Sequence, residues 1–307
     1  MIDPKLIILY GKFGKKLHEK QQRMIDGGSS CGYRDYARLF GEIIYLCPQR
    51  LSRKWEKSIT EPQELVRYLN SQENVVVWSV KHDPAKDACL DYVKHPKLYY
   101  SCCAYNTINR HVDYSLVDTI ERVKPGTNAV LWQKGKDPEK WNYDPEVKRV
   151  YDYLLVGRRA DKNEIWFIDK LTKKVKEQRS ILWIGGKEHR YKFNTHHYVK
   201  CTPFVGESEV IKLMNKCYVH VLLSEHPAEG FPQSIIESGM CGCCVIYSGP
   251  RGIFENKEEA FSHCEDMLLV TSCGGWEKLG RRESKRKLFV DDYSIHKSWE
   301  QMKGYFL

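Results

Sequence analysis

Glu229 and Glu237 stand eight residues apart in the segment Leu223-Ser224-Glu225-His226-Pro227-Ala228-Glu229-Gly230-Phe231-Pro232-Gln233-Ser234-Ile235-Ile236-Glu237. The apolar run from Val219 to Leu223 has the pattern of a strand, and Pro232 stands where a helix begins. That puts Glu229 in a loop and Glu237 about a turn and a half into the helix. A carboxylate accepts more than one hydrogen bond, so each acid can take the paired hydroxyls of a sugar or a ribose. The amides of Gly230 and Phe231 lie between the two acids as donors to further hydroxyls. The alternative is a helix-capping acid followed by a solvated one, which leaves an acid beside Gly and Pro in an apolar loop without a packing reason.

Cations gather at another strand end. Val156-Gly157-Arg158-Arg159-Ala160-Asp161-Lys162 follows an apolar run. Gly157 clears room there, Arg158 offers bidentate bonds and Lys162 a point charge, a combination that suits a pyrophosphate. A surface turn is the alternative. Near the N-terminus, Gly11-Lys12-Phe13-Gly14 follows the first apolar run, and Gly27-Gly28 precedes a helical pattern. Either stretch could bring backbone N–H groups to a phosphate. Neither matches the P-loop or the dinucleotide fingerprint, and ordinary turns explain both equally well.

These residues need a frame that converges strand ends. The chain alternates short apolar runs with amphipathic stretches. Strands are expected at 6–10, 74–78, 98–100, 129–132, 153–156, 181–184, 197–199, 219–223, 244–247 and 267–270. Helices are expected at 33–45, 62–70, 110–122, 163–178, 207–216 and 233–241. Near-continuous apolar strands separated by helices predict parallel sheets covered on both faces, an α/β architecture. Ligands of such sheets bind beyond the carboxyl ends of the strands. Ten strands exceed one doubly wound sheet, and the Pro/Gly/Asp-rich stretch 133–149 reads as the connection between two. We therefore expect an N-terminal domain over 1–145, a C-terminal domain over 146–290, and a final helix within 291–307 that could cross back to the first. That helix, from Tyr293 to Phe306, carries Ile295, Trp299, Met302 and Phe306 on one face.

Composition bounds the remaining classes. The 307 residues are 42% hydrophobic, 12% aromatic and 29% charged, which excludes a disordered or collagenous chain. No apolar run approaches the roughly 18 residues of a membrane helix. Met1 to Lys5 leads straight into a strand-like segment, so no signal peptide is expected and the protein should be cytoplasmic. The charge, 49 − 40 = +9, favours an anionic partner without choosing among nucleic acid, acidic lipid, acidic glycan and nucleotide diphosphate. Twelve cysteines in so long a chain do not read as a secreted disulfide scaffold. Cys241 and Cys244 form one C-x-x-C without a second pair at zinc-like spacing, so buried thiols are the favoured reading over a metal or redox site.

As an ordered set, these residues resemble the E-x7-E motif region of retaining glycosyltransferases with the GT-B fold, of the family-four (glycosyl transferases group 1) type. Phe204-Val205-Gly206-Glu207 before a helix, Ser224 before the loop, Val245-Ile246 after it, and Gly249-Pro250-Arg251-Gly252-Ile253-Phe254-Glu255 agree in order, as do Leu155 to Arg158 and Trp183-Ile184-Gly185-Gly186 upstream. The resemblance covers about 129–270 well and the first half only in outline. It implies two Rossmann-like domains with parallel sheets facing across a cleft, the second holding the nucleotide-sugar. By motif position, Arg158 and Lys162 would bind the diphosphate. Glu229 with the amides of Gly230 and Phe231 would hold the transferred sugar, and Glu237 the ribose. No metal and no cofactor beyond the nucleotide diphosphate-sugar is implied, with a glycan or other hydroxyl compound as acceptor. In such enzymes a histidine near the end of an N-domain strand approaches the donor sugar. His82 is the candidate, a plain surface histidine the alternative.

The chain departs from the family in places. The spacing from Arg158 to Lys162 is one residue short, which makes Arg159 an alternative ligand. Glu237-Ser238-Gly239-Met240 replaces the usual Glu-Ala-Met-Ala run, and Cys244 stands where a proline is usual. Two other readings of the same fold remain: glycosylation of nucleic-acid bases, which the +9 charge and the basic cluster from Lys278 to Lys287 keep open, and a non-catalytic sugar-nucleotide-binding module. Peripheral membrane contact is compatible with the charge. No G-x-G-x-x-G follows a strand, which argues against an NAD oxidoreductase.

Overall fold

A computed structural model describes residues 3–13, 32–48, 51–80, 82–100, 108–118, 122–157, 163–174, 179–188, 198–224, 232–248, 257–262 and 282–306. The chain divides into two compact units, one of Met1–Lys134 with Ser298–Leu307, the other of Gly135–Lys297. Each is built on one parallel sheet.

The first unit contains β1 (Lys5–Tyr10), α1 (Tyr33–Phe40), β2 (Gly41–Tyr45), β3 (Glu56–Ser58), α2 (Pro62–Asn70), β4 (Val75–Val80), α3 (Pro84–Leu90), β5 (Lys97–Tyr100), β6 (Tyr114–Val117) and β7 (Ala129–Leu131). Its seven strands lie in the order β3-β2-β1-β4-β5-β6-β7, all parallel. Strand order reverses between β1 and β4, the position at which open α/β sheets bind ligands. β4 is buried along its whole length, as its continuous apolar run predicts. One face carries an aliphatic core of Ile7, Leu9, Ile44, Leu65, Leu69 and Val77. Trp78, which strand alternation turns to the other face, meets Tyr33, Tyr36 and Trp132 edge-on at 5.2–5.5 Å. Such pairs contribute about 0.5–1.5 kcal/mol each beyond their burial.

Two expected helices are corrected. The stretch 33–45 is a helix only to Phe40, because Gly41 turns the chain directly into β2. A Cβ at Gly41 would fall 1.9 Å from the carbonyl oxygen of Leu6, so only glycine allows the close pairing of β2 with β1. The stretch 110–122 contains β6, whose aromatic and apolar residues are held between β5 and β7. The edge strand β3 carries too little apolar pattern to be read from sequence. The expected strand at 267–270 lies outside the described residues.

Charged groups brace this unit from inside. Burial alone pushes the Asp118 carboxyl up, but Lys134 at 2.9 Å and Arg122 at 2.8 Å outweigh it and hold it below its ordinary value of 3.8. Glu42 behaves likewise: burial raises it, and hydrogen bonds from Tyr68, Lys5 and Lys57 hold it below 4.5. Carboxylates lowered in the folded state add stability that is complete above the unfolded value and disappears as pH falls through the folded one. The unit should therefore lose stability once pH drops below about 4. Urea unfolding followed by intrinsic fluorescence between neutral pH and about pH 3 tests this. Asp118→Asn should flatten the slope, whereas an unchanged slope would remove Asp118 from the account.

The second unit contains β8 (Tyr151–Val156), α4 (Glu164–Lys174), β9 (Ile181–Ile184), β10 (Val199–Cys201), α5 (Glu207–Asn215), β11 (Cys217–Leu223), α6 (Gln233–Met240), β12 (Cys244–Ser248) and α7 (Arg282–Tyr293). Its five parallel strands run β10-β9-β8-β11-β12, with the reversal between β8 and β11. Two cores cover the sheet. One groups Tyr153, Phe167, Trp183 and Phe261, the other Leu154, Leu222, Ile236 and Met240. The last helix, α8 (Ile295–Lys303), buries Ile295, Trp299 and Met302, while Phe306 lies beyond its end and is half-buried. The helix expected from Tyr293 to Phe306 is α8, whereas α7 was not expected from the sequence. Within the first unit, Trp299 stacks on Phe40 at 5.3 Å and Ser298 Oγ accepts from Tyr36.

Candidate functional site

In the second unit, β8 and β11 are hydrogen-bonded neighbours at the reversal of strand order, and their carboxyl ends pass into Gly157 and Ser224. Gly157 is held by its N–H donating to the Ile184 carbonyl at 3.1 Å and its carbonyl accepting from Trp183 Nε1 at 2.9 Å. A Cβ there would lie 2.4 Å from Oε1 of Glu164, the tip of the buried side chain that opens α4. Asn163 has a left-handed backbone, φ 58°, and its Nδ2 donates to the Leu223 carbonyl at 2.7 Å. Gly157, following β8, is thus tied to β9, and Asn163 to the end of β11; the two flank the segment 158–162. Arg158 and Lys162 belong to that segment and lie outside the described residues, as does Arg159.

Glu229, Gly230 and Phe231 also lie outside the described residues. The structure resumes at Pro232, which precedes α6 in an extended conformation, so the helix starts where the proline predicts. Glu237 is the fifth residue of that helix. Its Oε1 meets Lys136 Nζ at 2.5 Å, and both side chains are largely buried. Lys136 is fixed by its backbone, donating to the Tyr293 carbonyl and accepting from Ile295 N–H, and its ammonium lies 5.3 Å from the centre of the Trp141 ring. The acid assigned to a ribose therefore has a cationic partner that the sequence did not reveal, because pairing between such distant segments leaves no local pattern.

In the first unit, His82 follows β4 at the β1/β4 reversal. Its Nδ1 lies 2.6 Å from Oδ2 of Asp87, which is fully buried, while the imidazole is about half exposed at 47%. Asp87 was not singled out from the sequence. The signal was available in His82-Asp83-Pro84: a capping acid and an N1 proline fix a helix start, which sets Asp87 in its first turn. Gly11, after β1, has φ 98°. Gly27 and Gly28 lie outside the described residues.

Among the described residues, Cys217, Cys241 and Cys243 pack in the core of the second unit. Cys217 Sγ donates to the Leu213 carbonyl and Cys243 Sγ to the Met214 carbonyl, and burial pushes the Cys217 thiol well up. Among the described residues, no three His, Cys, Asp or Glu side chains gather to hold a metal ion, and no helix is long and apolar enough to cross a membrane.

Comparison with known proteins bears on the strand ends of the second unit. Residues 151–273 match the family model of glycosyl transferases group 1. No curated protein matches the chain by sequence. Solved structures resemble it over almost its full length. A glycosyltransferase from Rickettsia africae is 13% identical, with 99% of this chain and 98% of that one covered and a TM-score of 0.67. Sucrose-phosphate synthase from Thermosynechococcus elongatus is 11% identical over 99% and 98%, at 0.63. An α-glucosyltransferase in complex with UDP-glucose and DNA containing an abasic site is 12% identical over 98% of each chain, at 0.64. At such identities the likeness establishes the fold, the GT-B architecture of two parallel-sheet units. The group 1 match covers β8 to β12 and includes both Arg158 and Glu229.

Proposed function

We propose that the chain is a retaining, metal-independent glycosyltransferase that moves a hexose from a nucleotide diphosphate-sugar to a hydroxyl acceptor. The observation that carries this reading is the β8/β11 reversal of strand order. The segments bearing Arg158, Lys162 and Glu229 follow directly on those two strand ends, inside the stretch matching glycosyl transferases group 1. The bond between the sugar and the diphosphate breaks more readily when departing negative charge meets cations already in place. Arg158 and Lys162 supply that charge. Glu229 and the Gly230 and Phe231 amides hold the sugar, and Glu237, steadied by Lys136, takes the ribose hydroxyls. Retention follows from a front-face or short-lived ion-pair route.

Incubation with a panel of UDP-, GDP- and other nucleotide-sugars tests the reading. Release of nucleotide from at least one donor is expected, at a rate that a chelator leaves unchanged. Binding without release would instead identify a sugar-nucleotide-binding module.

A second reading, glycosylation of nucleic-acid bases, draws on the +9 charge and on structural neighbours solved with UDP and DNA. It requires duplex binding that weakens steeply with salt.

A further inference from the structure

Asp87 is fully buried, and each of its side-chain contacts comes from a donor. Oδ2 accepts from the Asp83 N–H at 3.0 Å and lies 2.6 Å from His82 Nδ1, while Oδ1 accepts from Asn109 Nδ2 at 2.9 Å. The amide orientation of Asn109 follows from the network, since its Oδ1 accepts the His111 N–H at 2.9 Å. Asp87 cannot drift. Asp83 caps α3 by accepting from the Lys86 N–H, and the buried Lys86 ammonium donates to the Val80 carbonyl at 2.8 Å, tying the helix to the end of β4. Asp83 N–H and Asn109 each hold one oxygen of the Asp87 carboxylate, and His82 reaches it from the exposed side.

A carboxylate only accepts hydrogen bonds, so His82 Nδ1 carries the proton. In the neutral ring Nε2 then holds the lone pair. We propose that Asp87 is a positioning residue that fixes His82 as the Nδ1–H tautomer, so that Nε2 accepts a hydrogen bond from a saccharide hydroxyl. The identity of the hydroxyl rests on the transferase reading; the tautomer does not.

Nitrogen-15 NMR of the labelled imidazole tests the tautomer directly. The unaltered protein should show Nδ1 protonated and Nε2 bare in the neutral ring, and Asp87→Asn should shift the proton towards Nε2. A proton on Nε2 in the unaltered protein overturns the proposal, even if the variant fails to fold. The kinetic test uses a nucleotide-sugar that the protein hydrolyses. Asp87→Asn should lower kcat/KM by about tenfold or more, the scale of one charge-assisted hydrogen bond. Made on a His82→Gln background, it should cost nothing further. Additive losses would show that Asp87 acts on packing alone.

His82→Gln should raise KM for the nucleotide-sugar if the hydroxyl is the donor's. An effect confined to transfer onto an added saccharide assigns it to the acceptor, and no change in either overturns the hydroxyl contact. A protein that turns over no donor sinks the transferase reading and the hydroxyl contact together, while the NMR result still decides the tautomer.

Discussion

Replacing Glu229 by alanine is expected to lower kcat/KM for sugar transfer by at least about 100-fold while the protein stays folded. The argument is one of differential binding. A carboxylate on the transferred sugar can strengthen its hydrogen bonds as the ring flattens and gains positive charge, and only interactions that strengthen in the transition state accelerate the step. The loop is entered from β11 and left into α6, both anchored in their own core: Leu222 and Leu223 are buried on one side, Ile235 and Ile236 on the other. The variant keeps those four anchors, and thermal unfolding is expected to coincide with that of the unaltered protein. A variant that transfers sugar as fast as its parent would remove Glu229 from the chemistry.

Lys136→Met is expected to destabilise the second unit by about 3 kcal/mol or more and to weaken nucleotide binding. Nζ and the Glu237 carboxylate are 2.5 Å apart, with 4% and 15% of their side chains exposed. Methionine fills the same space without charge and leaves a largely buried carboxylate lacking its cation, the costly half of a broken pair. The Trp141 ring loses its cation–π partner at the same time. Lys136→Arg should recover part of both losses. Chemical denaturation measures the stability and calorimetric titration with UDP the affinity. A loss below about 1 kcal/mol would class the pair with exposed ion pairs and deny Glu237 its fixed position.

What could be read from the sequence depended on whether its cause was local. The buried strands β4, β9 and β11 announced themselves because a strand covered on both faces is apolar at nearly every position, with Ser79 in β4 and His220 in β11 as polar exceptions. β2 and β6 did not. Leu39, Phe40, Ile43 and Ile44 continue a helical spacing across Gly41, and only the 1.9 Å approach to Leu6 in a neighbouring strand shows why the helix must stop there. β3 is an edge strand whose buried Glu56 is held by Ser52 and Arg53 nearby and by Arg34 at 2.7 Å, contacts that an apolar pattern does not show.

The candidate site divides in the same way. Gly157 and Glu237 were visible because strand ends, a proline and a fixed spacing advertise them. Their supports, Glu164 and Asn163 around the first and Lys136 beside the second, come from contacts that only folding creates. His82 was legible as a residue after a strand, yet the buried carboxylate that orients it was not.

A crystal structure with a nucleoside diphosphate bound tests the central claim most directly. The account predicts the diphosphate at the carboxyl ends of β8 and β11, with Arg158 and Lys162 on its oxygens, Glu237 on the ribose hydroxyls and Glu229 turned towards the same site. A nucleotide bound elsewhere, or Arg158 and Glu229 on opposite surfaces of the unit, would contradict it.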